Sequence, residues 1–269
     1  MPYAHVNDWK FYYEMTGSGD DIVFLHGENH GIEYFEYQIP EFSKTNRCLT
    51  YYRRGHGKTG VPSYGYSLTN QTRDLVSLLD YLRIEKPVIV AVAFSATIAI
   101  NLALEYPQRV KGILMEGWSE VEGGDDYIEH FRRQTPVIVE VLKTKGHEGL
   151  VNYILKEGNR MFPVLPKRSP LREKYAKMFA SRPLESYDKR MEFVTSVPNL
   201  IRRFHQVKVP VLGVDGANDP FPAHPNLLQG LPNFEEKLIP DTERFVHWEK
   251  PEIFNIILRG FLEKLQTTH

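Results

Sequence analysis

The sequence predicts an α/β fold, in which helices flank a mostly parallel sheet and a helical cap is inserted into the sheet domain. Strand-like apolar runs alternate with helix-like patterns over most of the chain, which favours a parallel sheet covered on both faces. One long stretch has only helical patterns. We therefore predict a core domain of residues 1–118 and 206–269, and a cap domain of residues 119–205.

The predicted strands are short runs rich in β-branched and aromatic residues, bounded by turn residues. In chain order they are Trp9–Glu14, Ile22–Leu25, Arg47–Tyr52, Val88–Ala93, Val110–Met115, Val209–Val214 and Phe234–Ile239. Helical spacing of apolar residues predicts helices over Ser67–Leu82, after Ser95, and over Glu252–Leu265. The second of these helices should end at Tyr106, because Pro107 follows it.

The predicted cap consists of amphipathic stretches separated by prolines and charges, without a convincing strand. Its four helical stretches are Tyr127–Lys143, Glu148–Gly158, Leu171–Ala180 and Leu184–Phe204. Inserts over strand ends often shape a pocket and exclude water, so we expect this one to cover the site.

Composition limits the partners that we expect. Of the 269 residues 42% are hydrophobic, which allows a large core, and the net charge is −1, which gives no reason to expect nucleic acid or an anionic membrane. The single cysteine, Cys48, cannot form an internal disulfide. With no signal-peptide pattern and no apolar run of bilayer length, we expect a soluble, cytoplasmic monomer or homodimer.

Ser95 is the predicted nucleophile. It stands where the apolar run from Val88 meets a helix-type pattern, and small residues surround it. A tight strand-to-helix turn can lift a nucleophile out of a sheet, and it needs small neighbours because its backbone is strained. The usual form is G-x-S-x-G, and the sequence Ala-Phe-Ser-Ala-Thr has Ala93 and Thr97 in the glycine positions.

A serine nucleophile needs a base, and the base needs an orienting carboxylate. His247 follows the last predicted strand, and Asp219 follows the strand before it. Catalytic side chains of open α/β sheets collect in such loops. Asp215, nearer its strand end, and Glu116, at the end of an earlier strand, remain alternative acids.

Six segments carry a resemblance to a known family: Phe24–Gly27, Arg54–Thr59, Ala93–Thr97, Tyr106–Val110, Asp215–Asp219 and His247–Pro251. Together they resemble the α/β-hydrolase fold superfamily along nearly the whole chain. The resemblance implies that Ser95 is the nucleophile, His247 the base and Asp219 the acid.

The resemblance also implies an oxyanion hole of two backbone amides, those of Ala96 and Glu28, with Asn29 as the alternative second donor. Thr97 brings a β-branched side chain to a position where the helix should approach the strand closely. The Glu28 carboxylate would oppose a forming oxyanion if it pointed inward and would be harmless if it pointed outward.

Aromatic residues indicate the substrate class. If several of them line one cavity, an apolar or aromatic compound of modest size would fit. The predicted pocket residues are Asn29, Phe94, Trp118, Phe162, Tyr187 and Trp248. No metal site is predicted, because the segment His26–His30 has Gly27 where the zinc motif H-E-x-x-H needs glutamate.

The predicted function is a serine hydrolase that cleaves a carboxylic ester or lactone of a small molecule through an acyl-enzyme, without a metal or organic cofactor. The same triad could instead support carbon–carbon bond hydrolysis, perhydrolysis or hydroxynitrile lyase chemistry. A third possibility is a small-molecule receptor with a slow or idle triad, suggested by Ala93, Thr97 and Glu28.

Overall fold

The computed structural model contains one eight-stranded sheet, in the order β1-β2-β4-β3-β5-β6-β7-β8. The structure describes residues 2–117, 125–162, 165–168, 170–219, 228 and 230–267. The strands are β1 (Tyr3–Val6), β2 (Trp9–Thr16), β3 (Asp20–Leu25), β4 (Asn46–Tyr51), β5 (Val88–Val92), β6 (Gly112–Glu116), β7 (Val211–Gly216) and β8 (Phe234–Ile239).

The sheet is mostly parallel, as the alternating pattern predicts. β1 pairs with β2 and β2 with β4 in antiparallel fashion, and every other pair is parallel. All five residues of β5 and of β6 are buried, because helices cover both faces of these central strands.

The helices of the sheet domain follow strands and pack on the sheet. α2 begins at a Ser67 cap, whose hydroxyl accepts a hydrogen bond from the Asn70 amide. Among the described residues, the α-helices are α1 (Ile39–Phe42), α2 (Leu68–Tyr81), α3 (Phe94–Glu105), α4 (Asp125–Glu157), α5 (Leu171–Ala180), α6 (Leu184–Ser196), α7 (Val246–Glu249) and α8 (Pro251–Thr267).

A helical insertion lies between β6 and β7, where the sequence predicts one. It contains α4, α5 and α6, and α4 is kinked at Gly146, whose φ of 66° and ψ of −169° are not helical. Within the described ranges, no helix is both long and apolar enough to cross a membrane.

The fold differs from the sequence prediction mainly at element ends. β5 ends at Val92, one residue earlier than predicted, and α3 begins at Phe94. Only Ala93 therefore lies between the strand and the helix. This boundary decides which residue stands at the turn.

Candidate active site

Ala93 occupies the apex of the strand-to-helix turn. Its φ of 53° and ψ of −122° lie in a region that costs a non-glycine residue about 1–3 kcal/mol. Its amide donates a 2.7 Å hydrogen bond to the carbonyl oxygen of Glu116 on the neighbouring strand. The small residues that such a turn needs two positions before and after the apex are Ala91 and Ser95.

Ser95 is therefore not at the apex, which is the position from which a residue of such a turn would act as a nucleophile. It lies inside α3, fully buried, and its hydroxyl donates a short hydrogen bond to the His26 carbonyl oxygen. It lies two residues beyond the apex. Thr97 accordingly lies further along the helix and does not take the place of an elbow glycine.

His247 is paired with Glu116. One Glu116 carboxylate oxygen makes a short hydrogen bond with His247 Nδ1, and the other accepts a 3.1 Å bond from the His247 backbone amide. Both side chains are fully buried. With Nδ1 bonded to a carboxylate, the imidazole can present Nε2 as a proton acceptor.

Asp219, the predicted acid, instead pairs with Arg244. Their carboxylate oxygen and guanidinium nitrogen are 3.3 Å apart, and both side chains are buried. Asp215 accepts a 2.8 Å hydrogen bond from the Gly117 amide. Burial, together with the Asp219 carboxylate nearby, raises the pKa of Asp215 well above its usual range. The structure thus favours Glu116, the alternative acid.

The structure also indicates a different first oxyanion donor from the predicted Ala96 amide. The Ala96 amide donates a 2.8 Å hydrogen bond to the Ala93 carbonyl oxygen, so it is already engaged within the turn. The donor that follows an apex at Ala93 is the Phe94 amide, at the N-terminus of α3 where helical amides lack intrahelical partners.

The Glu28 side chain lies in a buried cluster with two arginines. Its carboxylate oxygens pair with Arg53, at 3.1 Å, and with Arg182, which follows α5 in the helical insertion. Although burial opposes ionisation, Arg182 and Arg53 hold the pKa of the Glu28 carboxyl below its ordinary value. The cluster ties the insertion to the loop that follows β3.

We expect Arg182→Met to lower the free energy of unfolding by about 3–5 kcal/mol, because it removes one partner of a buried ion pair. Urea denaturation of the variant would measure this loss. The control is Arg203→Ala, which removes an exposed ion pair with Glu105 and should leave the midpoint nearly unchanged. Equal midpoints for the two variants would contradict the account of the Glu28 cluster.

Most of the predicted aromatic pocket residues are core residues. Phe94 packs its ring 4.3 Å from that of Phe193, and Phe162 lies 5.2 Å from Phe179. The Tyr187 hydroxyl donates a hydrogen bond to the Phe179 carbonyl oxygen, and Trp248 Nε1 donates one to the Tyr34 carbonyl oxygen. All four are nearly fully buried, and Trp118 lies outside the described residues.

A cavity of about 310 Å³ lies between the insertion and the loops after β3 and β4. Asn29 and His30 line it. Other lining residues are Tyr52, His56, Lys174 and Arg182. Its size suits a small molecule. Within the part of the chain that the structure describes, no three His, Cys, Asp or Glu residues are grouped as metal ligands.

Comparison with known proteins agrees with this fold. The sequence pattern of the alpha/beta hydrolase fold family matches residues 21–131. Beyond residue 131, the parallel strands β7 and β8 and the pairing of His247 with Glu116 extend the same fold. The chain has the α/β-hydrolase fold. The predicted fold class and the resemblance are thereby confirmed.

Several of the relatives that match this chain are hydrolases. The putative carbamate hydrolase RutD of Azorhizobium caulinodans is 26% identical, over 97% of this chain and 98% of its own length. A 2-hydroxy-6-oxononadienedioate/2-hydroxy-6-oxononatrienedioate hydrolase of Paraburkholderia phymatum is also 26% identical, over 94% and 91%. Among solved structures, Est816, described as an N-acyl homoserine lactone degrading enzyme, is 26% identical with a TM-score of 0.76, over 97% of this chain and all of its own.

His30 gives this α/β hydrolase a pH-dependent stability that can be measured. Burial lowers the pKa of His30 well below 6.5, so the folded state keeps the ring neutral while the unfolded state binds a proton below about pH 6.5. Stability is therefore lost as the pH falls below that value, by about 1.4 kcal/mol per pH unit from this residue.

We expect His30→Gln to reduce the slope of unfolding free energy against pH by about that amount between pH 5 and 6.5. Denaturant titrations of both proteins at several pH values would measure the difference. Parallel curves for the two proteins would show that His30 titrates alike in the folded and unfolded states.

Ala93 and His30 are site residues that the sequence does not mark. Ala93 carries no reactive group, whereas Ser95, two positions later, carries a hydroxyl that resembles a nucleophile. The signal that could have found Ala93 is the spacing: Ala91, Ala93 and Ser95 also fit the small-x-apex-x-small pattern. His30 carries no motif, and only the folded loop brings it near the turn.

Proposed function

We propose that this protein hydrolyses a small carboxylic ester or lactone with water that His247 activates directly, without a covalent acyl-enzyme. The observation that carries the proposal is the combination of an intact His247–Glu116 pair with alanine at the apex of the elbow. Alanine offers no nucleophile, whereas the buried pair retains the features of a general base.

The imidazole is oriented for that role. Glu116 engages Nδ1, and Nε2 has no hydrogen-bond partner among the described residues although it is buried. A buried nitrogen without a partner is costly, and such groups concentrate at functional sites. The backbone strain retained at Ala93 points the same way, since strain persists where the surroundings over-determine it.

In the proposed reaction, His247 Nε2 takes a proton from water while the water oxygen bonds to the substrate carbonyl carbon. The Phe94 and Glu28 backbone amides donate to the oxyanion that develops. His247 then returns its proton to the leaving oxygen as the carbon–oxygen bond breaks, which yields an acid and an alcohol. Each proton that the base accepts is given back, so no other reactant is needed.

The substrate would enter from the cavity between the insertion and the loops after β3 and β4, with residues 119–205 acting as a cap. The described lining is polar as well as apolar, with Asn29, His30 and Arg182 among its members. We therefore propose a small ester or lactone that also carries hydrogen-bonding groups. The similarity to Est816 supports a lactone.

A second candidate function is small-molecule binding without turnover. The same observation favours it, since an alanine apex removes the group on which serine hydrolases depend. A binding protein should take up a ligand with the same affinity whether or not His247 can accept a proton.

The test is turnover of a panel of lactones and p-nitrophenyl esters by the unmodified protein and by His247→Ala. We expect turnover to fall at least about 100-fold in the variant, with no acylated protein in intact mass spectra during turnover. Binding with equal affinity and no turnover in either protein would instead support the binding protein. An acylated species during turnover would contradict direct attack by water.

A further inference from the structure

A second imidazole, that of His30, lies beside the elbow. A Cβ built on Gly27 would lie 2.6 Å from His30 Nδ1 and 3.4 Å from the Ala93 Cβ, so the ring and the methyl group approach one point. His30 is only 7% exposed. Its ring is therefore held next to the position that a nucleophile would occupy in this fold.

Neither ring nitrogen of His30 has a hydrogen-bond partner in the part of the chain that the structure describes. Burial, with the nearby charges of His26 and His247, lowers the pKa of His30 well below its usual value. The ring is thus neutral and offers one donor and one acceptor. Buried groups of this kind are normally satisfied, so the site suits a small polar molecule.

Tyr34 connects the two imidazoles. Its ring stacks on His30 with 3.9 Å between centroids, and it lies edge-on to His247 at 4.3 Å. The Tyr34 carbonyl oxygen accepts a 2.9 Å bond from Trp248 Nε1, which anchors the residue. Tyr34 therefore contacts both imidazoles and fixes the position of each ring relative to the other.

We propose that His30 is a further catalytic residue. His30 and His247 together hold the attacking water above the Ala93 methyl group. This rests on the proposed hydrolysis. The water donates one hydrogen to His247 Nε2 and the other to the unprotonated nitrogen of His30, which leaves a lone pair directed at the carbonyl carbon. On attack, the first proton passes to His247 and the second stays on oxygen.

Two experiments test this proposal. One is a crystal structure of the unmodified protein, and the other is the kinetic effect of His30→Phe in the unmodified protein and in Ala93→Ser. We expect a water within hydrogen-bonding distance of both His30 and His247. We expect His30→Phe to lower kcat for p-nitrophenyl acetate at least about ten-fold with KM nearly unchanged, since water is not part of substrate binding.

The matched background is Ala93→Ser, in which a hydroxyl replaces the water. There His30→Phe should change the rate of fluorophosphonate labelling less than about three-fold, because a serine needs only His247. An equal loss in both backgrounds would show a structural role and overturn the proposal. So would a crystal structure whose ordered waters do not contact His30.

Failure of the proposed hydrolysis would look different. The unmodified protein and His247→Ala would then turn over the ester at the same slow rate. A water still bonded to both imidazoles would support His30 as a binding group, and a site without that water would overturn both proposals.

Discussion

Ala93→Ser is expected to gain p-nitrophenyl acetate turnover at least about 100-fold above the unmodified protein, with a burst of p-nitrophenol. The new hydroxyl would stand at the strained apex, next to an imidazole that Glu116 already orients. The base, its acid and the elbow are all present, so a single side chain completes the triad. Stopped-flow absorbance measures both the burst and the steady rate.

The matched control is Ser95→Ala, which should leave turnover unchanged in the unmodified protein and in Ala93→Ser. The Ser95 hydroxyl donates to the His26 carbonyl oxygen, so its removal affects packing around the loop and not the chemistry. If Ala93→Ser shows no gain although it folds normally, Ala93 does not stand in the nucleophile position.

The second large effect concerns the acid. In the Ala93→Ser background, Glu116→Gln is expected to lower the fluorophosphonate labelling rate by about 10⁴, because an amide no longer stabilises the imidazolium or fixes its tautomer. Glu116 contacts His247 through both of its carboxylate oxygens, one on the ring and one on the backbone amide.

Asp219→Asn provides the comparison for Glu116→Gln. It keeps the size of the side chain and weakens the pair with Arg244, so it should destabilise the fold while changing the labelling rate less than about ten-fold. If the labelling rate fell by about 10⁴-fold in Asp219→Asn and hardly changed in Glu116→Gln, Asp219 would be the acid.

The sheet could be predicted because the spacing of apolar residues along a strand follows from which of its faces are buried. β5 and β6 are buried on both faces, and their sequences are nearly continuous apolar runs. The helical insertion was predictable for a related reason, since only helix-type patterns occur there. β1 was missed because its four residues, Tyr3–Val6, are too short to show a pattern.

The apex of the elbow could not be found from residue types alone. It depends on where β5 stops, and strand ends are set by pairing: Val92 is the last residue in register with β6, opposite Glu116. Ser95 lies two residues beyond the apex, where a small side chain is also required. A serine in that place therefore resembles a nucleophile although it packs as a small residue.

The acid was uncertain for a geometric reason. Glu116 and Asp219 lie at the ends of neighbouring parallel strands, so both arrive at the same edge of the sheet. What separates them is side-chain direction, and Arg244 holds Asp219 while His247 binds Glu116. The sequence contains no signal for which of the two partners each carboxylate meets.

The most direct measurement is the intact mass of the unmodified protein after treatment with a fluorophosphonate, with Ala93→Ser and Ser95→Ala alongside. With alanine at the apex, we expect no adduct on the unmodified protein or on Ser95→Ala, and one adduct on Ala93→Ser. A single adduct on the unmodified protein that disappears in Ser95→Ala would contradict this account and identify Ser95 as an activated nucleophile.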